Sequence, residues 1–288
     1  NAALGAGGAL HLGIAHWYRY PGDLAGAIRA IHDGWPANTP VDDWRTEEKV
    51  ITTMIDYTKK WGLIEPWNIV GAPESPVVEV PFSLGTDMYL PCAHCGMQSW
   101  QCTMDERFNP ICSLCNRERE EIEYGGIYDL LIEWSSQVYI TDHKSTSVFG
   151  PQYWRQFKPN NQMTGYTWGG NKLVGHHDFS GATRLAVGGA LINVIAWKSK
   201  GKTEFDRQIT ARSPQDIQEW LNYLYTECCA IQRNKVLNEW PMRTESCMGK
   251  YGACDFHDVH VLSHEQERQS RLETDYVKDR WDYELRDG

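Results

Sequence analysis

The stretch GGIYDLLIEWSSQVYITDHKSTS, Gly125–Ser147, joins two apolar segments through a short polar turn and reads as a β-hairpin with SSQ as its turn. Each arm carries an acid where a core residue would be safer, Asp129 in the first and Asp142 in the second, and Lys144 follows two positions on. Neighbouring strands of a hairpin bring the two carboxylates within reach of one divalent cation. The period of two along a strand puts Asp142 and Lys144 on one face. Paired hard carboxylates suit Mg²⁺ or Mn²⁺, which keep several waters and bind phosphate oxygens. A lysine on the same face can orient a metal-bound water or help to deprotonate it. That is the outline of a phosphodiester-hydrolysis site; the plainer alternative is a salt bridge at a strand edge.

Around the hairpin, GGALINVIAWKSKGKTEFDRQITARS reads as a second hairpin and SPVVEVPFSL alternates like a strand, with Glu79 expected to face solvent. Helical spacing marks ALGAGGALHLGIAHWYRY and DDWRTEEKVITTMIDYTKKWGL, the latter with acids at its start and lysines at its end, as the helix dipole favours. The second half of WRQFKPNNQMTGYTWGGNKLVG is helical, which places Gln162 and Tyr166 at i and i+4 on one face. Ser213 is the expected N-cap of a helix with Pro214 in its first turn. Residues 262–288 are expected to form a charged, exposed helix. The whole, residues 1–288, is read as one α/β domain (in the wider sense α+β).

Thirteen Trp and 14 Tyr in 288 residues exclude a disordered chain. No apolar run approaches the ~20 residues of a membrane-spanning helix, so no membrane partner is expected and a cytoplasmic location is. The chain opens NAALGAGG without an initiator Met or a recognisable signal peptide, and an upstream segment is expected. The formal charge of −10 is uneven: Lys144 to Arg212 holds ten Lys or Arg against three acids, +7 against −17 for the remainder. A basic face on an acidic body can track phosphates by local counterion release, though a solvated basic surface explains the charge as well.

Of nine cysteines, five fall between Cys92 and Cys115. Cys92-x-x-Cys95 and Cys112-x-x-Cys115 form two knuckles with 16 residues between them, a spacing that suits one structural Zn²⁺ held by four thiolates. Residues 88–120 are therefore expected to be an inserted zinc module, too small to fold without its metal, with Cys102 a bystander. Paired Cys-x-x-Cys units fit a reducing compartment better than a secreted disulfide framework.

His11 in GGALH, Asp129 in GGIYDLL, Asp142-x-Lys144 in YITDHKST and Gln162-x-x-x-Tyr166 in QMTGY, with VEVPF, GALINVIAW, FDRQI and a late C…CDF, stand in a telling order. The chain resembles the RecB-like exonuclease branch of the PD-(D/E)xK nuclease superfamily, especially its phage-type members, over most of its length apart from the cysteine block. The resemblance implies a restriction-endonuclease-like core, a mixed central sheet flanked by helices. It also implies that His11, Asp129, Asp142 and the backbone carbonyl of His143 hold a catalytic Mg²⁺ or Mn²⁺. Lys144 would be the catalytic lysine, with Gln162 and Tyr166 packing beside the site and contacting the nucleic-acid strand. His16 is an alternative to His11, and Tyr153, Trp154 and Trp168 are candidates either for stacking on bases or for the core. Some relatives carry an iron–sulfur cluster on late cysteines; here Cys247 and Cys254 match and His260 stands at the third position, so a packed pair of thiols is the safer reading.

The expected activity is that of a metal-dependent deoxyribonuclease working from DNA ends in recombination, repair or phage DNA processing. DNA is the expected partner, and a helicase or other DNA-processing protein a further one. The alternatives are an endonuclease of a DNA-packaging or CRISPR-adaptation system, or a catalytically weak nuclease fold serving as a DNA-binding or scaffold subunit.

Overall fold

The computed structural model describes residues 2–37, 43–62, 65–72, 74–98, 102–176, 186–241, 247–249 and 252–278. Three helices lead: α1 (Ala2–Arg19), α2 (Leu24–Asp33) and α3 (Glu47–Trp61). Short strands β1 (Asn68–Ile69), β2 (Gly71–Ala72) and β3 (Ser75–Pro76) precede the long β4 (Val78–Tyr89). The cysteine block contains the small β5 (Thr103–Met104) and β6 (Pro110–Ile111). Then come β7 (Glu121–Trp134), β8 (Gln137–Thr146), α4 (Pro151–Arg155), α5 (Asn161–His176), β9 (Val187–Ala196), β10 (Glu204–Ala211) and α6 (Pro214–Leu237). The end holds the β11 (Met248–Gly249)–β12 (Gly252–Ala253) hairpin, α7 (His257–His260) and α8 (Glu265–Asp275).

The expected hairpin is the β7–β8 pair, antiparallel from Trp134↔Gln137 to Leu130↔Thr141. Its turn is Ser135–Ser136, both at positive φ, the two-residue geometry that matches strand twist. Strand order in the central sheet is β1-β7-β8-β9-β10, with β4 also paired to β7. β9–β10 is the second expected hairpin. Between β8 and β9 the pairing is parallel, as a connection running through α4 and α5 allows. The sheet is thus mixed, with helices on both faces. On one face α1–α3 pack Leu10, Ile14, Val50 and Met54 against Leu130, Ile132, Leu191 and Ile195. On the other, Met163 and Val174 of α5 meet Leu131, Ile140, Ile192 and Val194.

The glycines of α1 let it lie close to its neighbours: a Cβ on Gly7 would sit 2.9 Å from Ser145 Oγ of β8, and one on Gly13 2.7 Å from Ile31 Cγ1 of α2. The cysteine block leaves the sheet after β4 and returns into β7, so it extends one end of that strand pair. Arg119 clips its two stems together by donating to the carbonyls of Tyr89 and Leu90. One expectation is corrected. Among the described residues the helix expected over 262–288 occupies Glu265–Asp275: Tyr276 turns extended, stacks on Phe256 and donates to the Asp255 carbonyl, and residues 279–288 lie outside the described residues. Of the two alternatives for Trp168 the core one holds: it is 7% exposed against Tyr124 and Trp220.

Candidate metal centre

One step beyond the Leu130↔Thr141 pair, the β7 and β8 backbones bring Asp129 and Asp142 side by side. The His143 amide donates to Asp129 Oδ2 at 2.7 Å, so a carboxylate replaces the next ladder partner. From α1, His11 Nδ1 reaches to 3.7 Å from the same oxygen. Glu79 joins them: one ligand atom each from His11, Glu79 and Asp129 lie within 4.8 Å of one another. Asp142 is not a member of this trio. It is engaged by Lys144, whose Nζ lies 2.9 Å from each of its carboxylate oxygens. Lys144 Nζ also donates to Gln162 Oε1 of α5 at 3.0 Å. Tyr166, one turn further along α5, packs its ring edge-on against Tyr128 and Phe82. His11, Asp129, Asp142, Lys144 and Gln162 are thus brought together, with Tyr166 alongside. His16 points elsewhere, bonded to Asp23 at 2.9 Å.

Glu79 corrects the reading from alternation. Val78 packs into the α1 side of the core, whereas Val80 and Phe82 pack on the α5 side. Two residues that should share a face are on opposite faces because Glu79 takes φ +50, a left-handed conformation in mid-strand. The kink turns a half-buried Glu79 toward Asp129 instead of to solvent. Its signal in the sequence was a charge inside an otherwise apolar VVEV run.

Burial holds the Asp142 carboxyl up to about 6 against the pull of Lys144, with Asp129 adding repulsion. Burial likewise raises Asp129 to about 6, opposed by the His143 amide and Lys144. The His11 imidazole is lowered, first by burial. For Lys144 the burial that would lower its pKa is outweighed by Asp142, and the ammonium is held above its ordinary value. Half-buried Asp129 and Glu79 with the His11 imidazole offer hard oxygen and nitrogen donors, and a divalent cation would offset the cost of holding charge there. That donor set could hold a divalent cation.

Behind the cluster a polar network runs into the core. Asn193, fully buried in β9 and paired in register with His143, places its Nδ2 2.7 Å from His143 Nδ1 and donates to Tyr57 Oη at 2.9 Å. Arg207 Nε donates to Asn193 Oδ1 at 3.0 Å. The guanidinium also grips both carboxylate oxygens of Glu65 and lies 3.7 Å over the Trp61 ring. None of Asn193, Arg207, Glu65 or Tyr18 was singled out from the sequence as part of the site.

In the cysteine block, Cys92, Cys95, Cys112 and Cys115 bring their sulfurs within 4.8 Å of one another, with closest separations of 3.6 Å (Cys92–Cys115) and 3.5 Å (Cys95–Cys112). A tetrahedral zinc with bonds of ~2.3 Å sets its sulfurs about 3.8 Å apart, so the thiols stand almost where the ion needs them. The knuckles are built alike. Gly96 and Asn116, each directly after the second cysteine, take positive φ and donate to the Cys92 and Cys112 carbonyls. Backbone N–H groups within the knuckles lower the Cys92 thiol to about 6 and lower Cys112 as well, while Cys95 and Cys115, packed against those sulfurs, are raised. These four cysteines could bind a structural zinc. Cys102 lies outside the set. Cys247 and Cys254 face each other across the β11–β12 hairpin, and among the described residues neither they nor His260 belong to a converging metal-capable group.

No protein-family model matches the chain, and no curated protein matches it either. Among the described residues no helix is long and apolar enough to cross a membrane.

Proposed function

We propose that the chain is a divalent-metal-dependent deoxyribonuclease of the RecB-like PD-(D/E)xK type, acting from DNA ends. One observation carries the reading: His11, Glu79 and Asp129 converge within 4.8 Å next to the ion pair of buried Asp142 with half-buried Lys144. A strand-edge salt bridge alone needs neither the histidine nor the two further carboxylates. When bound, Mg²⁺ or Mn²⁺ would neutralise charge on the scissile phosphate and acidify a coordinated water.

The remaining roles belong to the chain. His11, Glu79 and Asp129 supply ligands, and Asp142, half-neutralised by Lys144, lies beside them to complete the shell. Lys144, charged and held by Asp142 and Gln162, is placed to orient the attacking water and to stabilise negative charge on phosphorus. The four-cysteine block is read as a zinc-stabilised appendage of the β4–β7 pair, outside the chemistry.

The test is a time course on end-labelled linear DNA with Mg²⁺ or Mn²⁺, beside a covalently closed circle. The native chain should degrade the linear DNA alone. Asp142→Ala and Lys144→Ala should each lower the rate by about 100-fold or more, the scale of a lost general acid–base group. Nicking of the circle would make the protein an endonuclease. DNA binding without turnover under saturating Mn²⁺ would reduce it to a scaffold.

A further inference from the structure

Beyond that reading, and resting on it, we infer that Asn193, oriented by Arg207, is a positioning residue for the metal cluster: it sets the tautomer and ring orientation of His143 and through His143 the placement of Asp129 and His11. Asn193 stands in the middle of β9, where nearly every other residue is buried and apolar, and burying an amide there costs free energy unless each of its groups is bonded. All are. Arginine has donors only, so the atom facing Arg207 Nε must be the Asn193 oxygen. The amide nitrogen is thereby turned toward His143 and donates to Nδ1, which must be the unprotonated ring nitrogen; the proton sits on Nε2. A donor-only side chain deep in the core thus decides the hydrogen-bonding state of a ring beside the cluster.

His143 is the hub of that arrangement. Its amide donates to Asp129 Oδ2, its ring meets the His11 ring edge-on at a centroid distance of 5.8 Å, and the same ring lies parallel to Tyr18. Arg207 does not need Asn193 for its own neutralisation. Glu65 takes two of its bonds, and Tyr18 and Tyr57 accept two more. The Nε bond to Asn193 is what links this ion pair to the metal-binding side chains. Groups that hold a ligand's neighbour in place typically change metal affinity by 10–100-fold when removed.

Imidazole ¹⁵N shifts of the metal-free full chain, with Mn²⁺ titration calorimetry on the same samples, test the inference. The native protein should show His143 protonated on Nε2. Asn193→Asp keeps the shape but sets an acceptor against Nδ1; it should move the proton to Nδ1 and weaken Mn²⁺ binding by about 10-fold or more. Ser213→Ala, which removes the α6 cap and touches neither Asn193 nor the cluster, should lower Tm and leave Mn²⁺ affinity unchanged. A native His143 protonated on Nδ1 overturns the inference even if Asn193→Asp does not fold. So does a folded Asn193→Asp protein that binds Mn²⁺ as tightly as the native one, and that result leaves the nuclease reading standing. A native chain that binds no Mn²⁺ overturns both.

Discussion

Asp129 shows how much the site costs the fold. Its carboxyl is held near 6 by burial, against 3.8 for an ordinary aspartate, and Asp142 behaves alike. Between those values the folded, metal-free protein binds more protons than the unfolded chain, so stability falls as pH rises from about 4 to about 6. Each carboxylate is worth on the order of 2 kcal/mol, discounted for their coupling. Metal-free protein should therefore melt higher at pH 5 than at pH 7. Mn²⁺ should raise the Tm of the native chain, and Asp129→Asn should raise Tm at pH 7, flatten that pH dependence and abolish the Mn²⁺ effect; thermal scans across pH with and without Mn²⁺ read all of these. The acids and Lys144 were legible because charges on apolar strands stand out against a period of two. Glu79 was not, because one left-handed residue reverses the period at that point, and no local pattern announces such a kink. Asn193 stayed hidden for another reason: its partners lie 50 and 136 residues away in sequence, at His143 and Tyr57.

At the level of elements, the strongest local signals carried through. The capping box of α6 forms as Ser213 and Asp216 exchange hydrogen bonds, and Ser213→Ala should cost about 1 kcal/mol in denaturant unfolding with activity unchanged. The two hairpins follow from short turns between apolar runs. Parallel pairing of β8 with β9 could not be read, since it depends on where a 40-residue connection returns its strand. The cysteine block brings its four paired thiols to one point. Its knuckle spacing was legible, and the sulfur separations agree with it. Metal analysis should find about one zinc per chain, and Cys112→Ser should remove it and expose the segment between Tyr89 and Glu121 to limited proteolysis. Zinc retained in Cys112→Ser would place the ion elsewhere.

Across the whole molecule, charge and architecture point the same way with one adjustment. Of the ten cations between Lys144 and Arg212, several are committed internally: Lys144 to Asp142, Lys172 to Asp87, Lys198 to Glu204 and Arg207 to Glu65. The surplus facing solvent is therefore smaller than the sequence suggests. Any DNA contact by this segment rests on residues such as Arg155, Lys158, Lys200 and Lys202. The cluster itself lies where β4, β7 and β8 meet α1 and α5, so five elements separated by most of the chain converge on one point. That His11, Glu79 and Asp129 share a cation is the premise beneath every role assigned to Lys144, Gln162 and Asn193. Crystals soaked in Mn²⁺ and measured at a wavelength where manganese scatters anomalously test it most directly. An anomalous peak about 2.0–2.3 Å from the Asp129 carboxylate and within ligand reach of His11 and Glu79 is the expected result. A fully soaked crystal with no peak there, or with manganese only at the cysteine block, would contradict the account.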